Sequence, residues 1–165
     1  MAQQRVININ DVEMADLGNG AEFVAKRAQI SKIVGSTGLG CAFIVVPPGK
    51  KAFPFHRHHA VHELFFIVSG EGECRVGDAT VPVKADDMIA APAGAEAHQL
   101  VNTGPEDLRY LAISTMGSAD IVEYPDSGKI AAAAGMENGD FSTATFKTMG
   151  RIQPVADYYQ GETSD

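Results

Sequence analysis

Residues 49–70 read GKKAFPFHRHHAVHELFFIVSG and contain four of the five histidines in the chain. Successive side chains of a β-strand point to opposite faces, so His56 and His58, in the run HRH, project in the same direction. Arg57, between them, points away if the strand is regular. The two imidazoles are therefore close enough to bind a single ion.

Glu63 and His98 extend this pair to a predicted metal site. A tight turn through residues 59–62 brings Glu63 back beside the pair, where its carboxylate offers an oxygen ligand. The fifth histidine, His98, follows a turn at residues 92–94 and arrives from another strand. Three imidazoles and one carboxylate suit zinc, iron, manganese, nickel or copper, and they leave coordination positions open for water or a substrate. We therefore predict one divalent transition metal bound by His56, His58, Glu63 and His98.

Some assignments within this cluster stay open. A carboxylate at the position of Glu63 can remain off the metal, in which case Glu63 is the candidate general base. In a fully extended chain His62 would share the facing of His56 and His58, but the turn interrupts the alternation. We therefore place His59 and His62 at the rim of the site or behind the ligands.

Short strand-like segments dominate the middle of the chain. They are rich in β-branched and aromatic residues, and turns rich in Gly, Pro, Asp and Ser separate them. The pattern is typical of an antiparallel sandwich or barrel, so we predict an all-β fold. The predicted strands are 40–46, 63–68, 73–76, 80–83, 88–91, 99–101 and 108–114.

The flanking segments are less regular. We predict strands at residues 6–9 and 121–124, whereas residues 21–34 are compatible with either a strand pair or a helix. Residues 131–139 form an alanine-rich stretch that ends in a turn, and residues 154–165 resemble a tail.

Composition restricts the partners. The 165 residues suffice for one domain, and the formal charge of -8 disfavours contact with nucleic acid or anionic membranes. No run approaches the roughly 20 apolar residues of a membrane-spanning helix, and residues 1–10 lack the pattern of a secretory signal. We therefore expect a cytoplasmic protein without a nucleic-acid or membrane partner. Cys41 and Cys74 lie on separate predicted strands and are expected to be free thiols.

Two stretches resemble the motifs of the cupin superfamily. Residues 49–70 resemble the first motif, G-x5-H-x-H-x3,4-E-x6-G, with one extra residue before His56. Residues 92–102, PAGAEAHQLVN, resemble the second, G-x5-P-x-G-x2-H-x3-N. Asp86 replaces its opening glycine, and one extra residue separates Gly94 from His98. In the cupin picture the four predicted ligands match the metal ligands position by position.

The resemblance implies a cupin jelly-roll barrel at residues 40–125. An N-terminal extension, residues 1–39, would pack on the barrel, and a C-terminal extension, residues 126–165, would act as a lid or a dimer contact. Family precedent implies a homodimer in which the strand 6–9 or the segment after Ile121 crosses the interface.

The resemblance and the open ligand set imply a metal-dependent enzyme acting on a small hydroxy, keto or carboxylate molecule. A sugar-phosphate-type isomerase, a decarboxylase and a dioxygenase are the candidate types, and the first is a name carried by some similar cupins. The alternative is a non-catalytic module that binds a metal or a small ligand. Lys50, Lys51 and Arg57 are candidates to receive a substrate phosphate or carboxylate. Candidate lining or core residues are Phe53, Phe55, Phe65, Phe66, Met88 and Tyr110.

Overall fold

A computed structural model describes residues 5–154, 157–160 and 162 of the chain. Most segments between turns are short runs of β-branched, aromatic and small apolar residues, so strands dominate. In chain order the elements are β1 (Ala15–Asn19), β2 (Phe23–Ala28), α1 (Ile30–Val34), β3 (Leu39–Val46), β4 (Arg57–His58), β5 (Glu63–Ser69), β6 (Glu71–Val76), β7 (Ala79–Lys84), β8 (Met88–Ala91), β9 (His98–Val101), β10 (Leu108–Thr115), β11 (Ala119–Tyr124), β12 (Lys129–Ala134) and β13 (Phe146–Arg151). Short 3-10 turns at Pro125–Ser127 and Phe141–Thr143 precede β12 and β13. The strands predicted for the middle of the chain and for residues 121–124 are confirmed within two residues.

One layer of the barrel is a six-stranded sheet in the order β1-β2-β3-β10-β5-β8, and its neighbours pair antiparallel. Alternation along β3 gives this sheet two buried faces. Ile44 and Val46 belong to the cluster inside the barrel, whereas Phe43 packs in a second cluster on the outer face. Burying each such side chain contributes roughly 1.5–3 kcal/mol, so both faces stabilise the sheet.

The opposite layer consists of two smaller sheets, β7-β6-β9 and β13-β12-β11-β4. An isolated bridge joins them, in which the amide of His56 donates to the carbonyl of His98 at 3.2 Å and the amide of His98 donates back to the carbonyl of His56 at 2.8 Å. The jelly-roll topology therefore places two predicted ligands directly opposite each other.

Two turn positions require unusual backbone angles. Gly70 has φ +84°, and a β-carbon there would lie 2.5 Å from the carbonyl oxygen of Asp107, so only glycine fits. Asp86, at the position where the second motif has glycine, also adopts a positive φ of 73°. The backbone at this position is therefore left-handed even though the residue is not glycine.

The segment before β1 corrects one prediction. Residues 6–9 do not form a strand: Val6 is exposed, and the side chains of Ile7 and Ile9 are half-buried by packing instead of by sheet pairing. Ile7 and Ile9 lie with Val12 and Met14 against the outer cluster around Phe43. The ambiguous segment 21–34 contains one strand, β2, and the short helix α1, which ends at Gly35 with φ +71°.

The alanine-rich stretch contributes a strand, β12, which pairs with β11 and β13. The predicted tail at residues 154–165 lies partly outside the described residues. None of the helices in the described ranges has the length and apolar character needed to cross a membrane. Within the same ranges, Cys41 and Cys74 are free thiols, as predicted.

Candidate metal centre

The four predicted ligands converge inside the barrel. The Nε2 atoms of His98, His58 and His56 lie 3.1, 3.4 and 3.9 Å from Oε2 of Glu63. The imidazole rings of His56 and His58 are 5.0 Å apart, and those of His56 and His98 are 4.7 Å apart. The ligand atoms of His56, Glu63 and His98 all lie within 4.8 Å of one another, and His58 adjoins this group through Glu63.

These distances fit ligands of a shared ion. Two donor atoms that each lie about 2.1 Å from one ion are about 3.0 Å apart at a right angle and about 3.4 Å apart at the tetrahedral angle. The separations from His98 and His58 match this spacing, and that from His56 is slightly wider.

His98 and Glu63 carry polar atoms that the protein itself does not satisfy. Both ring nitrogens of His98 and Oε2 of Glu63 are buried, and none has a hydrogen-bond partner among the described residues. Each unpaired buried polar atom costs about 1–3 kcal/mol. Three such atoms in one cluster fit a ligand that binds there.

His56 is oriented by the backbone. Its Nδ1 lies 2.8 Å from the carbonyl oxygen of Pro54, and because a carbonyl only accepts, Nδ1 carries the proton. Burial, followed by the nearby His98, lowers the pKa of His56 to about 4, so the ring is neutral at pH 7. The unprotonated Nε2 then presents a lone pair toward Glu63, as metal binding requires.

His58 is oriented by a carboxylate that the sequence did not suggest. Its Nδ1 donates to Oδ2 of Asp120 at 2.5 Å, and Asp120 is buried. Burial opposes the charge on both groups, but their hydrogen bond raises the pKa of His58 and lowers that of Asp120. A carboxylate on Nδ1 fixes the tautomer that leaves Nε2 free for a metal.

Glu63 is held as a carboxylate. Burial would raise its pKa, but His98, His58 and His56 together lower it below the usual value. A charged oxygen at the centre of three imidazoles is suited to binding a cation.

The cluster opens into a cavity of about 780 Å³. Of the candidate lining or core residues, Phe53, Phe65 and Tyr110 line it, and Phe55 is buried outside it. Phe66 is half-buried outside the cavity, and Met88 is exposed, so the prediction for Met88 is wrong. Segments outside the two motifs also line the cavity: β2, the start of α1, the loop at residues 138–142, and Met149 of β13. The cavity is therefore built in part by the extensions.

The remaining histidines lie away from the cluster. His59 is exposed, with Nε2 2.7 Å from Oε1 of Glu123. His62 is also exposed, and its Nδ1 accepts from the amide of Ala93 at 3.3 Å. We therefore keep His59 and His62 outside the proposed ligand set.

The predicted basic receptor for a substrate anion is wrong. Lys51 pairs with Glu22 at 2.9 Å, and Arg57 pairs with Glu123 at 2.6 Å. Lys50 donates to the carbonyl of Ala21. All three cations are engaged by other groups, and none lines the cavity. Arg57 points away from His56 and His58, as strand alternation predicted.

Comparison with known proteins identifies the fold family. Residues 42–114 match the family described as Cupin domain, and this range holds His56, His58, Glu63 and His98. Residues 42–114 are thus a cupin domain within the 165-residue chain. The jelly-roll fold implied by the two motifs is thus confirmed for this cupin.

Among curated proteins, this cupin is 37% identical to an oxalate-binding protein from Thermotoga maritima over 68 residues. The match covers 41% of this chain and 54% of the relative, so it spans about half the length of that protein.

Solved structures extend the similarity beyond the motifs. A protein from Acidithiobacillus ferrooxidans, provisionally assigned as a sugar phosphate isomerase, has a TM-score of 0.74 at 24% identity, covering 90% of this chain and 93% of its own. A predicted oxalate decarboxylase from Thermotoga maritima has a TM-score of 0.59 at 25% identity, covering 67% of this chain and 97% of its own. The first similarity shows that the fold of this cupin, flanking segments included, recurs elsewhere.

Proposed function

We propose that this cupin binds one divalent transition metal and acts on a small polar molecule that chelates it through hydroxyl, keto or carboxylate oxygens. The proposed ligands are Nε2 of His56, His58 and His98 and the carboxylate of Glu63. The observation that carries the proposal is the buried Oε2 of Glu63, which accepts no well-directed hydrogen bond from a described residue although three imidazole nitrogens lie within 3.9 Å of it.

The protein residues have distinct tasks in this proposal. A bound divalent ion supplies Lewis-acid polarisation of a substrate oxygen, or oxygen chemistry if the ion is ferrous iron. Asp120 and the Pro54 carbonyl hold two imidazoles in the tautomer that binds metal. Phe65 and Tyr110 cover the inner wall and exclude water from the reacting atoms.

Metal binding is tested with a matched pair of histidine variants. Calorimetry with Mn²⁺ and Zn²⁺ should find one site per wild-type chain. His58→Ala should weaken binding about 100-fold or more, because it removes a ligand. His62→Ala should bind like wild type, because His62 lies four residues away and is exposed. Equal affinity in the two variants would contradict the proposal.

Turnover is tested separately. We propose an isomerase, decarboxylase or dioxygenase reaction, so the metal-loaded protein should convert at least one hydroxy, keto or carboxylate compound to product, and His58→Ala should not. Glu63→Gln separates the two roles of Glu63: loss of metal indicates a ligand, whereas retention of metal with loss of turnover indicates a base.

A non-catalytic binding module is the second candidate, supported by the name of the oxalate-binding relative. In that case the metal-loaded protein should bind oxalate saturably and release neither carbon dioxide nor formate. Formation of either product would exclude the module.

We further propose a homodimer through the outer face of the sheet β13-β12-β11-β4. This face carries Ile121 opposite Ala132 and Phe146 opposite Ala134, and both large side chains are exposed. A second copy packed there would bury them. Light scattering should give twice the chain mass of 17.5 kDa for wild type and the single mass for Phe146→Lys. A wild-type monomer would contradict the dimer.

A further inference from the structure

One cation in the cavity has no partner. The charged side chains that line the cavity, apart from the histidines, are Arg27, Lys32, Glu63, Asp120 and Asp140. Lys32 pairs with Asp140 at 2.6 Å. Arg27 makes no ion pair or side-chain hydrogen bond with any residue of the described ranges.

The position of Arg27 in β2 directs its side chain inward. Ala25, two residues before it, belongs to the cluster inside the barrel, and Ala28, one residue after it, belongs to the outer cluster. Alternation therefore places Arg27 on the interior face, and its cross-strand neighbour Ile44 also faces inside. A half-buried guanidinium carries a permanent charge whose desolvation needs compensation.

We infer that Arg27 binds a second anionic group of the substrate, a carboxylate or phosphate, at the end of the cavity opposite the His/Glu cluster. This inference rests on the proposed function, because the metal site is taken to hold the other end of the same molecule. Gln29 and Ser31, two and four residues after Arg27, also line the cavity. Their side chains make no hydrogen bond with another described residue, so they are available to the same anion.

Charge balance favours an anion at this end. Lys32 and Asp140 compensate each other, and the two carboxylates Glu63 and Asp120 offset a divalent ion. Arg27 is then the one uncompensated charge in the lining of the described cavity. A guanidinium binds carboxylate or phosphate through paired hydrogen bonds, whereas a neutral ligand end would leave it unpaired.

The separation of the two ends sets the length of the molecule. In the sheet, β2 and β5 are three strand spacings apart, roughly 14 Å between backbones. The cross-strand pairing that starts at Glu63 reaches β3 at Gly40, whereas Arg27 pairs with Ile44 of the same strand. The two positions are therefore also offset along the strands. The long side chain of Arg27 bridges part of this distance. A ligand that reaches both ends therefore needs a chain of several carbons, longer than oxalate.

A matched series of six-carbon acids tests this inference. Gluconate, glucarate and 6-phosphogluconate share the same hydroxy-acid head and end in a neutral hydroxyl, a carboxylate and a phosphate. Calorimetry on the Mn²⁺-loaded wild type should find glucarate, 6-phosphogluconate or both bound about 10-fold or more tightly than gluconate. Arg27→Met should abolish that preference without changing affinity for gluconate or Mn²⁺, and Arg27→Lys should retain part of it.

Arg109→Met is the matched control, since that guanidinium lies on the outer face over the ring of Phe43. It should behave as wild type. The inference about Arg27 is overturned if Arg27→Met keeps the preference for glucarate or 6-phosphogluconate over gluconate, or if wild type shows no such preference. In either case, Mn²⁺ binding to the protein still supports the proposed function. If Mn²⁺ does not bind, the proposed function fails. In that case inorganic phosphate is titrated into the metal-free protein. Binding to wild type but not to Arg27→Met supports the role of Arg27 in anion binding, and any other result overturns it. Melting curves verify that each variant folds.

Discussion

Asp120→Asn should weaken metal binding although Asp120 is not a proposed ligand. Wild-type Asp120 accepts from Nδ1 of His58 with Oδ2 and from the amide of Ala60 with Oδ1, at 3.0 Å. Asparagine keeps one oxygen, which the Ala60 amide needs, and presents an NH₂ donor to His58. Nδ1 must then accept, so the ring proton moves to Nε2, the nitrogen that would bind the ion.

The magnitude follows from the kind of contact that is lost. Removing a carboxylate that orients a metal-bound histidine typically costs 10–100-fold in affinity. That range corresponds to about 1.4–2.7 kcal/mol. We expect the upper part of it, because Asp120→Asn favours the wrong tautomer in addition to removing a charge, and because Asp120 is buried, where solvent screens little.

The assay is competition of wild type and variant against a Zn²⁺ indicator of known affinity. Glu123→Gln is the control, because Glu123 also pairs with a histidine, His59 at 2.7 Å, but outside the cavity. That variant should bind Zn²⁺ like wild type. A threefold or smaller change in Asp120→Asn, with unaltered melting temperature, would refute the reasoning about the tautomer.

Other positions give independent predictions. Asp86→Gly should raise the free energy of unfolding in urea by roughly 0.5–1 kcal/mol, because the backbone φ at Asp86 is +73° and glycine adopts that angle without strain. Asp78→Gly is the control, since Asp78 does not have a positive φ, and equal effects of the two substitutions would contradict this prediction. Asn102→Ala should lower the same free energy by about 3 kcal/mol, since three buried or half-buried hydrogen bonds to the backbone are lost, and a change below about 1 kcal/mol would argue against that role. Burial raises the pKa of Cys74 to about 11, so the folded protein at pH 8 should react with iodoacetamide at Cys74 only as fast as it unfolds; rapid labelling by mass spectrometry would contradict the assignment.

The ligand cluster was predictable because its determinants are local. His56 and His58 are two residues apart on an extended segment, which fixes their common facing in any sheet. The extra residue before His98 does not displace it, since its backbone bonds to His56 in both directions. The positive φ of Asp86 likewise matches the glycine of the motif despite the substitution.

What the sequence did not reveal depends on long-range pairing. Asp120 is 62 residues from His58 and reaches it because Val122 of β11 pairs with His58 of β4. No local pattern distinguishes that carboxylate from the others in an acidic chain. Arg27 was missed because residues 21–34 fit either a helix or strands, and the direction of a side chain is undefined until that choice is made. The prediction of a strand at residues 6–9 was wrong because an alternating apolar pattern is compatible both with a paired strand and with an irregular segment that packs on the outer cluster.

The proposed metal ligands and part of the cavity lining come from different segments of the chain. The range that matches the cupin family, residues 42–114, contains all four proposed ligands but neither Asp120 nor Arg27. Cavity walls from β2, the 138–142 loop and β13 also lie outside that range. Proteins that share only the matched range with this cupin are therefore expected to share the metal chemistry and to differ in the substrate. Similarity to the oxalate-binding relative, at 41% coverage of this chain, thus supports a common centre more strongly than it supports oxalate as the ligand.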